Sequence, residues 1–314
     1  MEDPTTSLLK PPAVSPGASI SVIAPASSAK PERVESGLDA LRALGFAPQL
    51  GGHALERGPL YFAGTAAQRL ADLHAAFADP STSVVMGMRG GYGSNYLLSG
   101  LDMKLIRRHP KPFFTYSDVT GVQLRLLDQL GLPAFHGPML AADFFQQDGV
   151  HLDSFRAALA GAPYSVGAPE GLSVLKAGKA SGILYGGCLS ILVSLLGTEW
   201  EPQTEDKLLF LEDTGVKPYQ VDRMLWQLRH AGKFDGVRGI VFGEMLDCVS
   251  PGAPPALLES AILSALGSFD GPVAFGLRSG HVSRQNVTLI FGVQAELTAG
   301  ADAKLHLLTP AVKR

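Results

Sequence analysis

Residues 113–120 read Phe-Phe-Thr-Tyr-Ser-Asp-Val-Thr. An apolar, strand-forming run breaks at Ser117-Asp118 and gives way, from Val119 to Leu130, to the apolar spacing of a helix. A strand that turns sharply into a helix is the repeating unit of an open α/β sheet, whose ligands sit beyond the carboxyl ends of its strands. A hydroxyl at that turn stands clear of the sheet edge, beside the free N–H groups of the helix's first turn. Ser117 is therefore a candidate nucleophile. Thr115 and Val119 stand where the usual G-x-S-x-G elbow has glycine, and a Ser-Asp pair before a helix also serves as a plain N-cap. On this stretch alone both readings stay open.

Outward from it the same alternation continues. Upstream, Ser19 to Ala24 reads as a strand, Pro31 to Leu44 as a helix stopped by Gly45, Ala66 to Ala78 as a helix with Leu70, Leu73, Ala76 and Phe77 on one face, and Ser83 to Met88 as a strand. Downstream, Ala134-Phe135 is a further short strand. This order predicts a Rossmann-like parallel sheet covered by helices. From residue 160 to 179 the chain turns rich in Gly, Pro and Ala with little periodicity, as a connection between domains would. Beyond it, strands are expected at Leu208–Leu211, Gly239–Gly243, Val273–Gly276 and Val287–Phe291, with helices from Pro218 to Gly232 and from Pro255 to Leu266. The expected fold is α/β: a loose leader (1–16), an N-terminal parallel-sheet domain (17–159), a linker (160–179) and a C-terminal mixed, β-rich α/β domain (180–314).

Composition narrows the function classes. A chain of 314 residues exceeds the size at which one core usually stops growing, and 46% hydrophobic against 18% charged residues excludes extensive disorder. A net charge of −3 gives no electrostatic reason to expect nucleic acid or an anionic membrane as partner. No apolar run reaches the length of a membrane span, so a cytoplasmic protein acting on a small partner is expected. Cys188 and Cys248 form no CxxC and read as reduced, buried thiols. There is no G-x-x-x-x-G-K-[ST], no G-x-G-x-x-G after the first strand and no HExxH, so neither a nucleotide fingerprint nor a metal hydrolase is expected. The glycines of GMRGGYG (87–93) serve either a tight turn or a loop that offers N–H groups to an anion. Among eight histidines, His281 stands apart, in a polar loop between two expected strands, followed by Ser283, Arg284, Gln285 and Asn286. His136 follows a strand and is expected in a turn, and His230 suits a helix C-terminus.

Taken in order, RGGYG (89–93), YSDVT (116–120), GGCLS with the following LLGT (186–198), LFLEDTG…PYQVDRML (209–225) and GHVSRQN (280–286) resemble the LD-carboxypeptidase family of serine peptidases, across roughly Ser19 to Ala299. That family includes muramoyltetrapeptide carboxypeptidases and microcin C self-immunity peptidases. The resemblance implies Ser117 as nucleophile, Glu212 and His281 as its catalytic partners, and the backbone N–H groups of Gly91 and Asp118 as the oxyanion hole, in a cleft between domains. It further implies a serine carboxypeptidase that removes the terminal D-alanine of a murein tetrapeptide during cell-wall recycling, without metal or cofactor, in a family whose members are often homodimers. An immunity-type amidase acting on a peptidyl or aminoacyl nucleotide is the enzyme alternative. A non-catalytic peptide-binding relative is the alternative of another class. Departures from the family pattern are Thr115 for Gly, Cys188 for Asn, Tyr96 for Arg, and Ile290 for Pro; those at 188 and 96 bear on substrate contacts or domain packing, and Cys188 raises the question of oxidation or of a mis-assigned nucleophile.

Overall fold

Short strands with a helix between each pair pack most simply as parallel neighbours, and the first half of the chain does so. The computed structural model describes residues 8–254 and 256–313. In the first half it contains β1 (Ser19–Ile23), α1 (Pro31–Ala43), β2 (Ala47–Leu50), α2 (Ala66–Ala78), β3 (Val84–Gly87), α3 (Met103–Arg108), β4 (Phe113–Thr115), α4 (Thr120–Leu130), β5 (Ala134–His136) and α5 (Leu152–Ala160). Local chemistry fixes the ends: Pro31 opens α1, and α2 starts on a capping box in which the Thr65 hydroxyl accepts from the Gln68 N–H while Gln68 returns a bond to the Thr65 N–H. The second half contributes β6 (Tyr164–Gly167), β7 (Ser173–Lys176), β8 (Gly178–Cys188), α6 (Leu189–Ser194), β9 (Lys207–Glu212), α7 (Pro218–His230), β10 (Gly239–Gly243), α8 (Leu257–Leu266), β11 (Val273–Leu277), β12 (Leu289–Phe291), β13 (Gln294–Ala299) and β14 (Ala303–Leu307). Pro255, where the sequence starts the last helix, lies outside the described residues, as do residues 1–7.

Two sheets result. The first has the order β12-β5-β4-β3-β1-β2, parallel throughout except for β12, and the second the order β6-β14-β13-β8-β9-β10-β11-β7, parallel from β8 to β11 and antiparallel outside. The expected α/β class with one parallel and one mixed sheet is what is found. In the first sheet the strand order reverses between β1 and β3, so the loops after these strands diverge and leave a crevice at their carboxyl ends.

Beyond elements that the sequence reading did not single out, among them β2, α3, β8, β13 and β14, three features depart from it. Residues 160–179 are not a bare connection: β6 and β7 form the opposite edges of the second sheet, and edge strands pair on one side only, so their sequence carries a weak pattern. Residues 8–16 are not loose, because the N–H groups of Leu9, Ala13 and Val14 donate to the carbonyls of Gly131, Lys313 and Leu159. Most consequential, β12 lies in the first sheet, antiparallel to β5 with Ile290 opposite Phe135, although it follows six strands of the second, β6 to β11. A single buried apolar cluster accordingly runs from Ile20 and Phe114 to Phe210 and Ile240.

Candidate active site

The Phe113–Thr120 stretch folds as its sequence predicts, with one difference in where the strain sits. Thr115 is ordinary buried strand, its hydroxyl directed at Met139 Sδ, 3.3 Å away, and Gly87 on the neighbouring strand leaves room for it. The positive φ of the elbow, +65°, belongs to Ser117 itself. A non-glycine residue held there costs on the order of 1–3 kcal/mol and persists where surrounding structure enforces it, which is common at active sites. A single 3₁₀ turn, Ser117–Val119, then leads into α4.

The loop after β3 lies against this turn. A Cβ placed on Gly90 would sit 2.8 Å from Ser117 Oγ and 3.5 Å from the Asp118 N, so glycine is what lets the two backbones meet. Gly91 has φ +116°, and a Cβ there would collide with the Ser27 side chain. The loop is held from both sides: Tyr92 N–H donates to Ser27 Oγ at 3.1 Å, and Ser94 donates through its N–H to Asp118 Oδ2 at 2.8 Å and through its hydroxyl to the Asp118 carbonyl at 2.6 Å. Among the described residues neither the Gly91 nor the Asp118 N–H has a protein acceptor.

Glu212 ends β9 and His281 lies on the loop between β11 and β12. His281 Nε2 is 2.9 Å from Ser117 Oγ, while its Nδ1–H and its backbone N–H both donate to Glu212 Oε2, at 2.7 and 3.0 Å. The ring stands edge-on to Tyr116, with centroids 5.2 Å apart. Glu212 is fully buried and closely walled, since a Cβ on Gly280 (φ +87°) would come within 2.6 Å of its carboxyl carbon. Burial pushes the Glu212 carboxyl up, but the charge and hydrogen bonds of His281, with His136 nearby, bring it below the ordinary carboxylate range. Burial likewise disfavours the His281 cation, yet the Glu212 carboxylate and its hydrogen bond, helped by Asp213 and Asp143, raise the imidazole above its ordinary value. Each partner favours the charged form of the other.

Ser117, His281 and Glu212 are thus joined by hydrogen bonds, with Asp118 next in the chain to the serine and Gly91 next to the Gly90 that packs against it. Cys188 is also close, paired in register with Glu212, but it is buried, and burial with Glu212 and Asp213 nearby pushes its thiol well up. A thiol held neutral is no nucleophile, and Cys248 is likewise buried and free. His136 corrects the sequence reading: it is the last residue of β5, not a turn residue, and lies fully buried between Tyr116, Phe210 and Phe291, where burial lowers its pKa to about 4. Tyr96 stands exposed in a group of rings with Phe62 and Tyr92. Asp143 and Asn286, both buried beside the histidine loop, had no local signal as site residues beyond the GHVSRQN motif. Among the described residues no three of His, Cys, Asp and Glu are grouped so as to hold a metal ion.

A hydroxyl, an imidazole and a buried carboxylate in series, at the carboxyl end of a parallel strand, form the constellation of a serine hydrolase. Comparison with known proteins narrows the class. Residues 20–137 match the LD-carboxypeptidase N-terminal domain and residues 181–297 the LD-carboxypeptidase C-terminal domain. A probable murein peptide carboxypeptidase of Bacillus subtilis is 37% identical over 292 residues, which cover 92% of this chain and 91% of that protein. Among solved structures, a muramoyltetrapeptide carboxypeptidase from Oxalobacter formigenes matches with a TM-score of 0.82 at 27% identity, over 93% of this chain and 100% of that one. An MccF-like protein from Bacillus anthracis matches with a TM-score of 0.86 at 28% identity, over 95% and 99% of the two chains. The chain belongs to the LD-carboxypeptidase family of serine peptidases.

Proposed function

We propose that the protein is a serine carboxypeptidase that releases the terminal D-alanine of a murein tetrapeptide, with Ser117 as nucleophile. The continuous hydrogen-bonded series from Ser117 Oγ through His281 to Glu212 Oε2 carries this reading, and the names of the relatives direct its substrate. His281 Nε2 takes the Ser117 proton as Oγ attacks the L,D-amide carbonyl, and returns it to the nitrogen of the leaving D-alanine. An acyl-enzyme remains on Ser117. Water then attacks the ester, again with His281 as base, and the shortened peptide leaves. Glu212 fixes the imidazole with Nδ1 protonated and stabilises its cation. The N–H groups of Gly91 and Asp118 face the developing oxyanion, each worth about 3 kcal/mol of barrier.

The assignment extends to cell-wall recycling in the cytoplasm, where two unpaired cysteines suit a reducing compartment. No described helix is long and apolar enough to cross a membrane. Assembly as a homodimer belongs to the same proposal, and light scattering of the purified chain measures it. Likeness to the MccF-like fold supports a second reading, an immunity-type amidase that cleaves a peptidyl or aminoacyl nucleotide.

The test is mass spectrometry of murein tetrapeptide incubated with wild type and with Ser117→Ala. Loss of one alanine with wild type only is the expected result. Turnover by the serine variant would remove the mechanism, and no turnover by folded wild type would transfer the assay to the aminoacyl nucleotide.

A further inference from the structure

The loop that carries His281 leaves β11 in the second sheet and enters β12 in the first, so its course is fixed at both ends by different sheets. Between them, buried Asn286 uses its side-chain amide on three partners. Its Oδ1 accepts from the Gly280 N–H at 3.0 Å, and its Nδ2 donates to the Gly280 carbonyl at 3.1 Å and to Asp143 Oδ1 at 3.0 Å. Both backbone polar groups of Gly280 are therefore held by one side chain. Held this way, Gly280 presents the following N–H, that of His281, to the same Glu212 oxygen that receives the imidazole.

Asp143 is itself anchored to the first half. Its Oδ2 accepts from the Met139 N–H at 2.8 Å, and it lies in a single π-helical turn, Leu140–Phe144, a local irregularity found disproportionately at functional sites. The backbone adds three further ties: Gln285 N–H to the Asp148 carbonyl (2.7 Å), Asn286 N–H to that of Gly149 (2.9 Å) and His151 N–H to that of Asn286 (3.2 Å). Met139 follows β5, the strand beside β4 that ends at the nucleophile. Base and nucleophile are thus referred to the same pair of strands by two routes.

We propose that Asn286, anchored by Asp143, is a positioning residue that holds His281 in hydrogen-bonding register with Ser117. This rests on the reading of Ser117 and His281 as nucleophile and base. Neither Asn286 nor Asp143 touches the reacting atoms. Asn286 acts through Gly280, and Asp143 acts by holding Asn286, besides the charge it adds near His281; a misplacement of the imidazole by about 1 Å is enough to cost on the order of a hundredfold in rate.

The experiment measures hydrolysis of murein tetrapeptide together with the rate at which an alkyl fluorophosphonate labels Ser117, for wild type, Asn286→Ala and the isosteric Asp143→Asn, each checked for folding by circular dichroism. Fluorophosphonate labelling reports the activated serine whichever peptide is the substrate, so failure of the murein reading and failure of this one are separable. Asn286→Ala is expected to lower kcat and the labelling rate by about ten- to a hundredfold with KM within about twofold. In a His281→Ala background the same substitution should change residual labelling by less than about twofold, because its effect passes through the imidazole. If Asn286→Ala does not fold, Asp143→Asn is read by the same criteria. Labelling within about twofold of wild type in a folded variant, or an undiminished effect without His281, overturns the proposal.

Discussion

Glu212→Gln isolates the charge of the carboxylate from its shape. Glu212 Oε2 receives two hydrogen bonds from His281, and Oε1 is buried with no protein partner among the described residues. Glutamine must keep its oxygen at the Oε2 position to accept both bonds, which leaves its NH₂ group at the unpartnered position. A buried donor without an acceptor costs about 1–3 kcal/mol of stability. The larger effect falls on the imidazolium that forms as Ser117 attacks. Charges about 4 Å apart at an effective dielectric near 20 attract by about 4 kcal/mol, or on the order of a thousandfold in rate. The sign for pH is fixed as well. Glu212 is the principal group raising His281 above its ordinary value, against burial, which lowers it. Without the carboxylate the imidazole stays neutral to lower pH, so the acid limb of kcat/KM moves down while its plateau falls. Steady-state alanine release across pH, with urea unfolding of the same preparation, measures all three quantities. A plateau within tenfold of wild type, or an acid limb that stays in place or rises, would refute the charge argument.

In the wild type, kcat/KM should rise as pH increases through the raised His281 pKa, since only neutral imidazole accepts the serine proton; a profile flat from pH 5 to 8 contradicts His281 as base. Gly91→Ala forces a Cβ into Ser27 at φ +116° and displaces the amide proposed for the oxyanion hole, so kcat should drop by about a hundredfold in a folded protein, measured on the tetrapeptide. Cys188→Ser should retain activity within about threefold, and iodoacetamide should label the folded wild type slowly, as befits a buried neutral thiol. Phe291→Ala empties a fully buried site between His136 and Phe210 at the junction of the sheets and should lower unfolding free energy by about 3–5 kcal/mol in urea titration.

The histidines mark the limit of what local sequence carries. His136 and His281 both follow strand-like runs and both precede or follow glycine, yet one is sealed among aromatic rings and the other meets Ser117 across 164 positions of sequence. No periodicity distinguishes them, because periodicity reports which face of its own segment a residue occupies and not what another segment brings to it. The ordered motifs did mark His281, along with Glu212 and the glycine loop. Asn286 was visible only as the last letter of GHVSRQN, and Asp143 not at all, since a buried carboxylate partnered from 143 positions away leaves no neighbouring pattern.

By itself the sequence determined the β-α alternation, the elbow at Ser117-Asp118 and most helix ends, all of which follow from apolar spacing and from Pro, Gly and capping residues within a few positions. Tertiary structure alone decided that β12 crosses back into the first sheet, that β6 and β7 close the edges of the second, and that the positive φ falls on Ser117 and not on Thr115. Those outcomes depend on which distant strands bury each other's faces and on what is packed around a strained turn. A linear pattern holds the propensities of each piece. The free energy that selects among their pairings comes from contacts that exist only once the pieces have met.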